Sequence, residues 1–313
     1  MGTTVFTEDP AVAGSLRKTA VSHIGFRVPD VEGSAIFYQR VLGMVEHDRL
    51  ADGGIRLGWG VGHHVLDLYP GEKGLVHYGF EVRDENGLAG IRERLSAAGV
   101  AFTTLDASFI DEGVGVVDGL VVDDPDGTPI HFHSQVQRSG ENTADTGRRP
   151  IKFQHTTLAS ADAPRIVDFF VNTIGFKLTD KLDNNSFFWM RSDLDHHTLA
   201  CVETGVDGDI DHYSYDLAEW ADFKDWSDRL TELGVDVQWG PGRHGPGNNL
   251  FVFFDDPAGN HVELSAEMEK FHDDIARIHH REWAPTPKSV NLWGGQTPNW
   301  RRVGAKTQVE GTN

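Results

Sequence analysis

Cysteine is almost absent from this chain: Cys201 stands alone among 313 residues. No disulfide can form within the chain, and a reducing, cytoplasmic setting is expected. Long apolar runs are missing too, and none approaches the roughly 20 residues that cross a bilayer as a helix. The opening stretch MGTTVFTEDPAVAG has neither a basic start nor an apolar segment, so no secretory signal is read in it. Phe6 stands where the myristoylation pattern after Met1-Gly2 needs Ser or Thr. Basic residues are scarce, 28 Lys and Arg against 48 Asp and Glu, for a net charge of −20. Such a surface repels phosphates and anionic lipid, so neither nucleic acid nor membrane is an expected partner.

What the chain does have is ordinary globular stock, 39% hydrophobic and 24% charged, with 16 histidines. Its length suggests about two domains. Internal similarity then organises it. HIGFRVPDVEGSAIFYQRVLGM (His23 to Met44) is matched by HTTLASADAPRIVDFFVNTIGF (His155 to Phe176). HYGFEVRDENGLAGIRERLSAAGV (His77 to Val100) is matched by HYSYDLAEWADFKDWSDRLTELGV (His212 to Val235). Each segment reads as a strand, a turn and an amphipathic helix with Gly at its end. In the third pair, VVDDPDGTPIHFHS (Val121 to Ser134) and FFDDPAGNHVELSA (Phe253 to Ala266), a strand runs through an Asp-Asp-Pro turn into a returning strand.

The reading is an α+β protein of two tandem domains, residues 15–137 and 151–268, each made of two strand–helix–strands units. The polar stretch RSGENTADTGRRP, within 138–150, serves as a linker. Residues 269–313 carry Trp283, Trp293 and Trp300 among Pro and Gly, and are expected to pack back as a cover.

Period-two alternation puts His155 with Thr157, His212 with Ser214, and Glu263 with Ser265 on the polar faces of three strands in the second half. Two neutral imidazoles and one carboxylate, with positions left open, suit a non-haem iron(II) centre where substrate and dioxygen both reach the metal. The separations, 57 residues from His155 to His212 and 51 from there to Glu263, exclude a zinc-finger or HExxH arrangement.

With these residues in place, the chain resembles the vicinal oxygen chelate superfamily and, within it, the two-domain type I extradiol ring-cleaving dioxygenases. GPGRHG (Gly240 to Gly245), DDPAGNHVE and the tail WGGQTPNW are most similar to homoprotocatechuate 2,3-dioxygenases. The resemblance implies tandem βαβββ modules, with an open β-barrel active site in the C-terminal half. It implies iron(II), with manganese(II) as the other candidate, held by His155, His212 and Glu263, with O2 as co-substrate. It implies a small aromatic diol as substrate, cleaved with insertion of both oxygen atoms, and a homo-oligomer, dimer or tetramer. The acid/base histidine corresponds to His196 or His197, with the spacing from Trp189 favouring His197. His244 matches a histidine near the substrate. Trp189, Thr157, Phe253, Trp239 and Asn248 are the substrate-lining positions.

Three departures from that pattern bear on the substrate. Phe253 replaces a common Tyr, Thr157 an Asn, and Trp239 an Arg that binds a substrate carboxylate, which argues against an arylacetate. The matching positions in the first half are His23, His77 and His131, three imidazoles that could bind zinc or iron, in a domain that usually serves the family as scaffold without metal ligands. Hydroquinone-type ring cleavage, a glyoxalase-like lyase or isomerase, and a ligand-sequestering protein of the same fold are the alternatives.

Overall fold

A computed structural model describes residues 7–60, 62–83, 86–137, 148–272, 279–295 and 298. Most of the expected linker, and Trp300 of the tail, lie outside them. The first module runs β1 (Thr19–Val28), α1 (Val31–Leu42), β2 (Val45–Arg49), β3 (Ile55–Gly58) and β4 (Leu66–Pro70). The second runs β5 (Gly74–Val82), α2 (Gly87–Ala97), β6 (Thr103–Thr104), β7 (Gly119–Asp123) and β8 (Pro129–Ser134). The third holds β9 (Lys152–Ser160), α3 (Ala163–Asp168, continued by a wider π turn over Phe169–Ile174), β10 (Lys177–Leu182), β11 (Phe187–Arg191) and β12 (Leu199–Glu203). The fourth holds β13 (Asp209–Asp216), α4 (Trp220–Glu232), β14 (Trp239–Arg243), β15 (Leu250–Asp255) and β16 (His261–Ala266). After it come β17 (Arg281–Trp283) and the short α5 (Pro287–Val290). This is the tandem βαβββ organisation read from the repeats. No helix among the described residues is long and apolar enough to cross a membrane.

Local chemistry sets the helix boundaries. Asp30 caps α1 by accepting from the Gly33 N–H, and Gly43 ends it at φ +65°, a left-handed conformation that glycine adopts without a Cβ penalty. Asp162 caps α3, with Pro164 in the first turn. Glu219 and Asp222 form a reciprocal capping box on α4.

Two sheets result, one in the order β2-β3-β4-β1-β5-β8-β7-β6 and the other β14-β15-β16-β13-β9-β12-β11-β10-β17. In each, the first strands of paired modules run antiparallel at the centre, β1 with β5 and β9 with β13. The last strand of each module lies parallel to its first. One apolar core joins the halves, from Leu16 and Phe26 through Phe80 and Phe170 to Trp226 and Leu264. Polar groups pin it. The Tyr38 hydroxyl donates to Asp256 Oδ2 at 2.5 Å and is bonded to the Tyr213 hydroxyl, all three residues being buried.

Strand β17 extends the second sheet by pairing with β10, so the tail adds a strand as well as covering. The second sheet also curls. Trp239 on β14 and Trp189 on β11 line one small cavity, although six strand spacings separate them, about 29 Å across a flat sheet. Among the described residues the two edge strands do not pair, so the barrel stays open, as expected.

Tyr38→Phe leaves the buried Asp256 oxygen and the Tyr213 hydroxyl short of a partner. A loss of about 1–3 kcal/mol in unfolding free energy is expected by urea denaturation. An unchanged midpoint would show that the contact contributes nothing.

Candidate functional site

His155 and His212 lie near the middle of the two central strands of the second sheet. In their register Ser214 faces His155 and Thr157 faces His212. Glu263 is drawn beside them by the parallel pairing of β13 with β16, which aligns it with Ser214. A break in register between Ile210 and His212 helps to turn the imidazole inward. His155 Nε2 lies 3.2 Å from His212 Nε2 and 3.0 Å from Glu263 Oε2, and His212 Nε2 lies 3.5 Å from that oxygen.

The other ring nitrogens decide what this means. His155 Nδ1 is 3.0 Å from Gln154 Oε1, and His212 Nδ1 is 2.6 Å from Asp211 Oδ1. Both partners are acceptors, so both Nδ1 atoms carry the proton and both Nε2 atoms present lone pairs. Glu263 Oε2 is buried and receives no hydrogen bond among the described residues. Three electron-pair donors thus converge in a buried space, an arrangement that fits a divalent transition-metal ion and repels itself without a cation.

Around the donors is a cavity of about 20 Å³, lined by His155, Trp189, His197, His212, Trp239 and His244, with Phe187, Pro246 and Val290 completing it. Two small apolar clusters, separate from the main core, form its walls. One contains Phe187 and Trp189 packed against Trp283, and the other Trp239, Phe251, Phe253 and Val290. Space for about one water molecule remains, so a ring-bearing ligand must displace part of the cover.

The histidine pair resolves by position. His197 lines the cavity, its ring centre 4.3 Å from that of His155. His196 does not line it. Its Nε2 lies 3.1 Å from the buried Asp180 Oδ2, and its Nδ1 3.0 Å from His197 Nδ1. Asp180 is further tied to Arg281 Nε and Trp283 Nε1. A carboxylate at His196 Nε2 favours the proton there, so His196 Nδ1 accepts from His197 Nδ1–H, and Nε2 of His197 is left basic. Burial, the dominant cause, keeps both imidazoles below the ordinary histidine range.

The remaining positions divide. His244 lines the cavity, with Nδ1 donating to the Val290 carbonyl at 2.6 Å and Nε2 3.3 Å from Glu263 Oε1. The Thr157 hydroxyl is 3.1 Å from His212 Nε2. Phe253 stands behind the cavity, its ring 5.3 Å from that of His212 and stacked on Trp239. Asn248 is a correction: it is exposed on a left-handed turn (φ 53°), and its side chain accepts from Arg243. Asn249 is the one that turns inward, donating to Ser265 Oγ at 2.9 Å and lying 3.5 Å from Glu263 Oε1. Sequence reasoning missed Asn249, Phe187, Pro246 and Val290. Of these, only Val290 had a signal, the expected covering role of the tail.

In the first sheet, His23, His77 and His131 also meet, with one ring nitrogen of each within 4.8 Å of the others. His63 and His64 gather beside them. Burial is the main cause that pushes His63 and His64 down to about 4, and His131 to about 2.

The family model described as Glyoxalase/Bleomycin resistance protein/Dioxygenase superfamily matches residues 20–132 and 152–264. Biphenyl-2,3-diol 1,2-dioxygenase of Metapseudomonas furukawaii is 25% identical over 88% of this chain and 92% of its own. The Mn(II)-bound glyoxalase of Novosphingobium aromaticivorans superposes with a TM-score of 0.77 at 26% identity, over 89% of this chain and 91% of its own. Homoprotocatechuate 2,3-dioxygenase of Arthrobacter globiformis superposes with a TM-score of 0.78 at 21% identity, over 95% and 94%.

A pH dependence of stability follows from His63 and His64. Their folded-state values are lowered, so between about pH 6.5 and 4 the unfolded chain binds more protons, and stability falls as pH falls. Each histidine withdraws about 2 kcal/mol by pH 5. Urea midpoints of chelator-treated protein should drop steadily from pH 7 to 5, whereas a flat profile would contradict the assignment.

Proposed function

The chain belongs to the Glyoxalase/Bleomycin resistance protein/Dioxygenase superfamily, and on that premise we propose that it is a metal-dependent extradiol dioxygenase that opens the ring of an aromatic diol. Iron(II) or manganese(II) is held by His155, His212 and Glu263. The observation that carries this reading is the convergence of three unprotonated donors beside an aromatic-walled cavity that also receives His197. The metal, when bound, supplies Lewis acidity to the diol and redox chemistry toward dioxygen.

The rest falls to the chain. Trp189 and Trp239 grip the ring from opposite ends of the curled sheet. Nε2 of His197 takes the proton of a diol hydroxyl and returns it as the ring opens, and the Asp180–His196 pair holds its orientation. His244 is fixed by the Val290 carbonyl and presents Nε2 between Glu263 and the cavity. Val290 and the walls around Trp283 exclude bulk water, which strengthens each of these polar interactions. Phe253 offers no hydroxyl and Trp239 no positive charge, which supports an uncharged aromatic diol over one bearing a carboxylate.

The test is anaerobic binding of a panel of uncharged catechols and hydroquinones to metal-loaded protein, followed by admission of oxygen. Stoichiometric O2 uptake with a coloured ring-opened product is expected. Metal and tight diol binding without O2 uptake would sink the dioxygenase reading and favour a lyase or isomerase. Glu263→Ala and His212→Ala are expected to lose this metal and all turnover.

His197→Gln should keep the metal and lose about 10²–10⁴-fold in kcat. Asp211→Ala should weaken metal retention about 10–100-fold by removing the acceptor that supports His212. Metal analysis after dialysis and steady-state oxygen electrode rates distinguish the two effects.

A further inference from the structure

The histidine cluster of the first sheet repeats the whole constellation of the second. Register pairs locate each counterpart. Gly25 lies beside Asp67 on β1 and β4, as Thr157 lies beside Ala200 on β9 and β12. Counting back from those rows, His23 stands where His155 does, and His63-His64 where His196-His197 do. His77 faces Gly25 as His212 faces Thr157. On the strand after the Asp-Asp-Pro turn, His131 pairs with Val121 as Glu263 pairs with Phe253.

The first-sheet set also has features of its own. Glycine stands at two positions where the second sheet has Thr157 and Ser214. A Cβ on Gly79 would lie 2.3 Å from His23 Cε1, and one on Gly25 2.4 Å from His77 Cε1. Those glycines let both imidazoles lie against the neighbouring strand. His23 Nε2 is then 3.0 Å from His131 Nδ1, while its Nδ1 is engaged by the preceding residue, Ser22 Oγ, at 2.8 Å. Gln154 does the same for His155. Asp67 replaces Ala200 and brings a fully buried carboxylate, with Oδ2 2.9 Å from His77 Nε2. Arg56 Nε and His64 Nε2 approach its other oxygen at 3.4 and 3.2 Å.

We propose that His23, His77 and His131 form a second metal centre, a three-imidazole site for zinc(II) with Asp67 as its buried counter-charge. Three neutral imidazoles with nitrogens inside 4.8 Å of one another match a tetrahedral zinc site that keeps one position open. His77 and His131 also line a surface cleft with Tyr69, Phe109, Val121 and Pro129, which gives an ion a way in and the open position a ligand-accessible side. With His23, His63 and His64 offer another candidate ligand group, but their Nε2 atoms turn to the Phe109 carbonyl, at 3.2 Å, and to Asp67 Oδ1, at 3.2 Å. They stand where the second site has its non-ligating pair.

The experiment uses the full chain carrying His212→Ala and Glu263→Ala, stripped with chelator and titrated with Zn2+ by calorimetry, with bound metal counted after dialysis. About one equivalent of Zn2+ should remain per chain. Adding His23→Gln or His131→Gln should weaken that binding at least about 100-fold, with the far-ultraviolet circular dichroism unchanged. His131→Glu recreates the donor set of the second sheet and should retain the ion. Co2+ in place of Zn2+ should give the visible ligand-field bands of a four-coordinate site in the double variant, and these should vanish with His23→Gln.

Loss of all zinc in the double variant, or binding indifferent to both His23→Gln and His131→Gln, overturns the proposal. Should the glutamine variants unfold, His131→Glu and the cobalt spectrum still decide it. Failure of the dioxygenase reading is distinguishable, because zinc binding to the double variant is read without turnover and does not depend on what the second sheet catalyses.

Discussion

The antiparallel pairing of the two central strands in each sheet is the constraint on which the sites depend. It sets each strand-borne histidine of one module diagonally across from that of its partner, with the residue two positions further on directly opposite the other ring. The parallel return strand then delivers a third donor to the same patch. A slip of one residue would turn each of these side chains to the opposite face, into the apolar core. The core packing that holds β9 against β13 therefore also holds the geometry of the donors.

What the pairing brings together, the flanking residues make usable. Gln154 and Asp211 each precede a donor histidine and fix its proton on the far nitrogen. On the opposite face Tyr213 and Tyr215 fill the core, joined by Phe153, which the register shift beside Gln154 sets opposite Tyr215. Stability and chemistry thus share strands but not faces. The walls follow the same division, since the apolar clusters around Trp189 and Trp239 stand apart from the main core.

The two halves answer the same register with different chemistry. The second sheet has a carboxylate donor, hydroxyl-bearing Thr157 and Ser214 beside the rings, and a nearly closed aromatic cavity. The first has a histidine in place of Glu263, glycines in place of both hydroxyls, and Asp67 buried behind the rings. Its negative charge stands in the surroundings of the rings and not among the three residues that meet, Asp67 Oδ2 lying 2.9 Å from His77 Nε2.

Much of this was legible in the sequence because a strand has period two and a module repeats. Alternation alone placed His155, His212 and Glu263 on polar faces, and the repeated His, Gly and Asp-Asp-Pro landmarks separated the four modules. Residues beyond the regular strands were not legible. Period two does not fix the direction of a side chain in a loop, so alternation does not separate His196 from His197; only the spacing from Trp189 favours His197, and in the fold Asp180 lies against His196. For the same reason the sequence does not show that Asn248 is exposed while its neighbour Asn249 turns inward. Nor could spacing reveal that His63, His64 and Asp67 join His23, or that Val290 closes the cavity, because those contacts depend on which strands become neighbours and on how far the sheet curls. The sequence by itself determined which residues can present donors. Tertiary structure decided which of them meet, because strand neighbours and sheet curvature arise from packing across the whole domain.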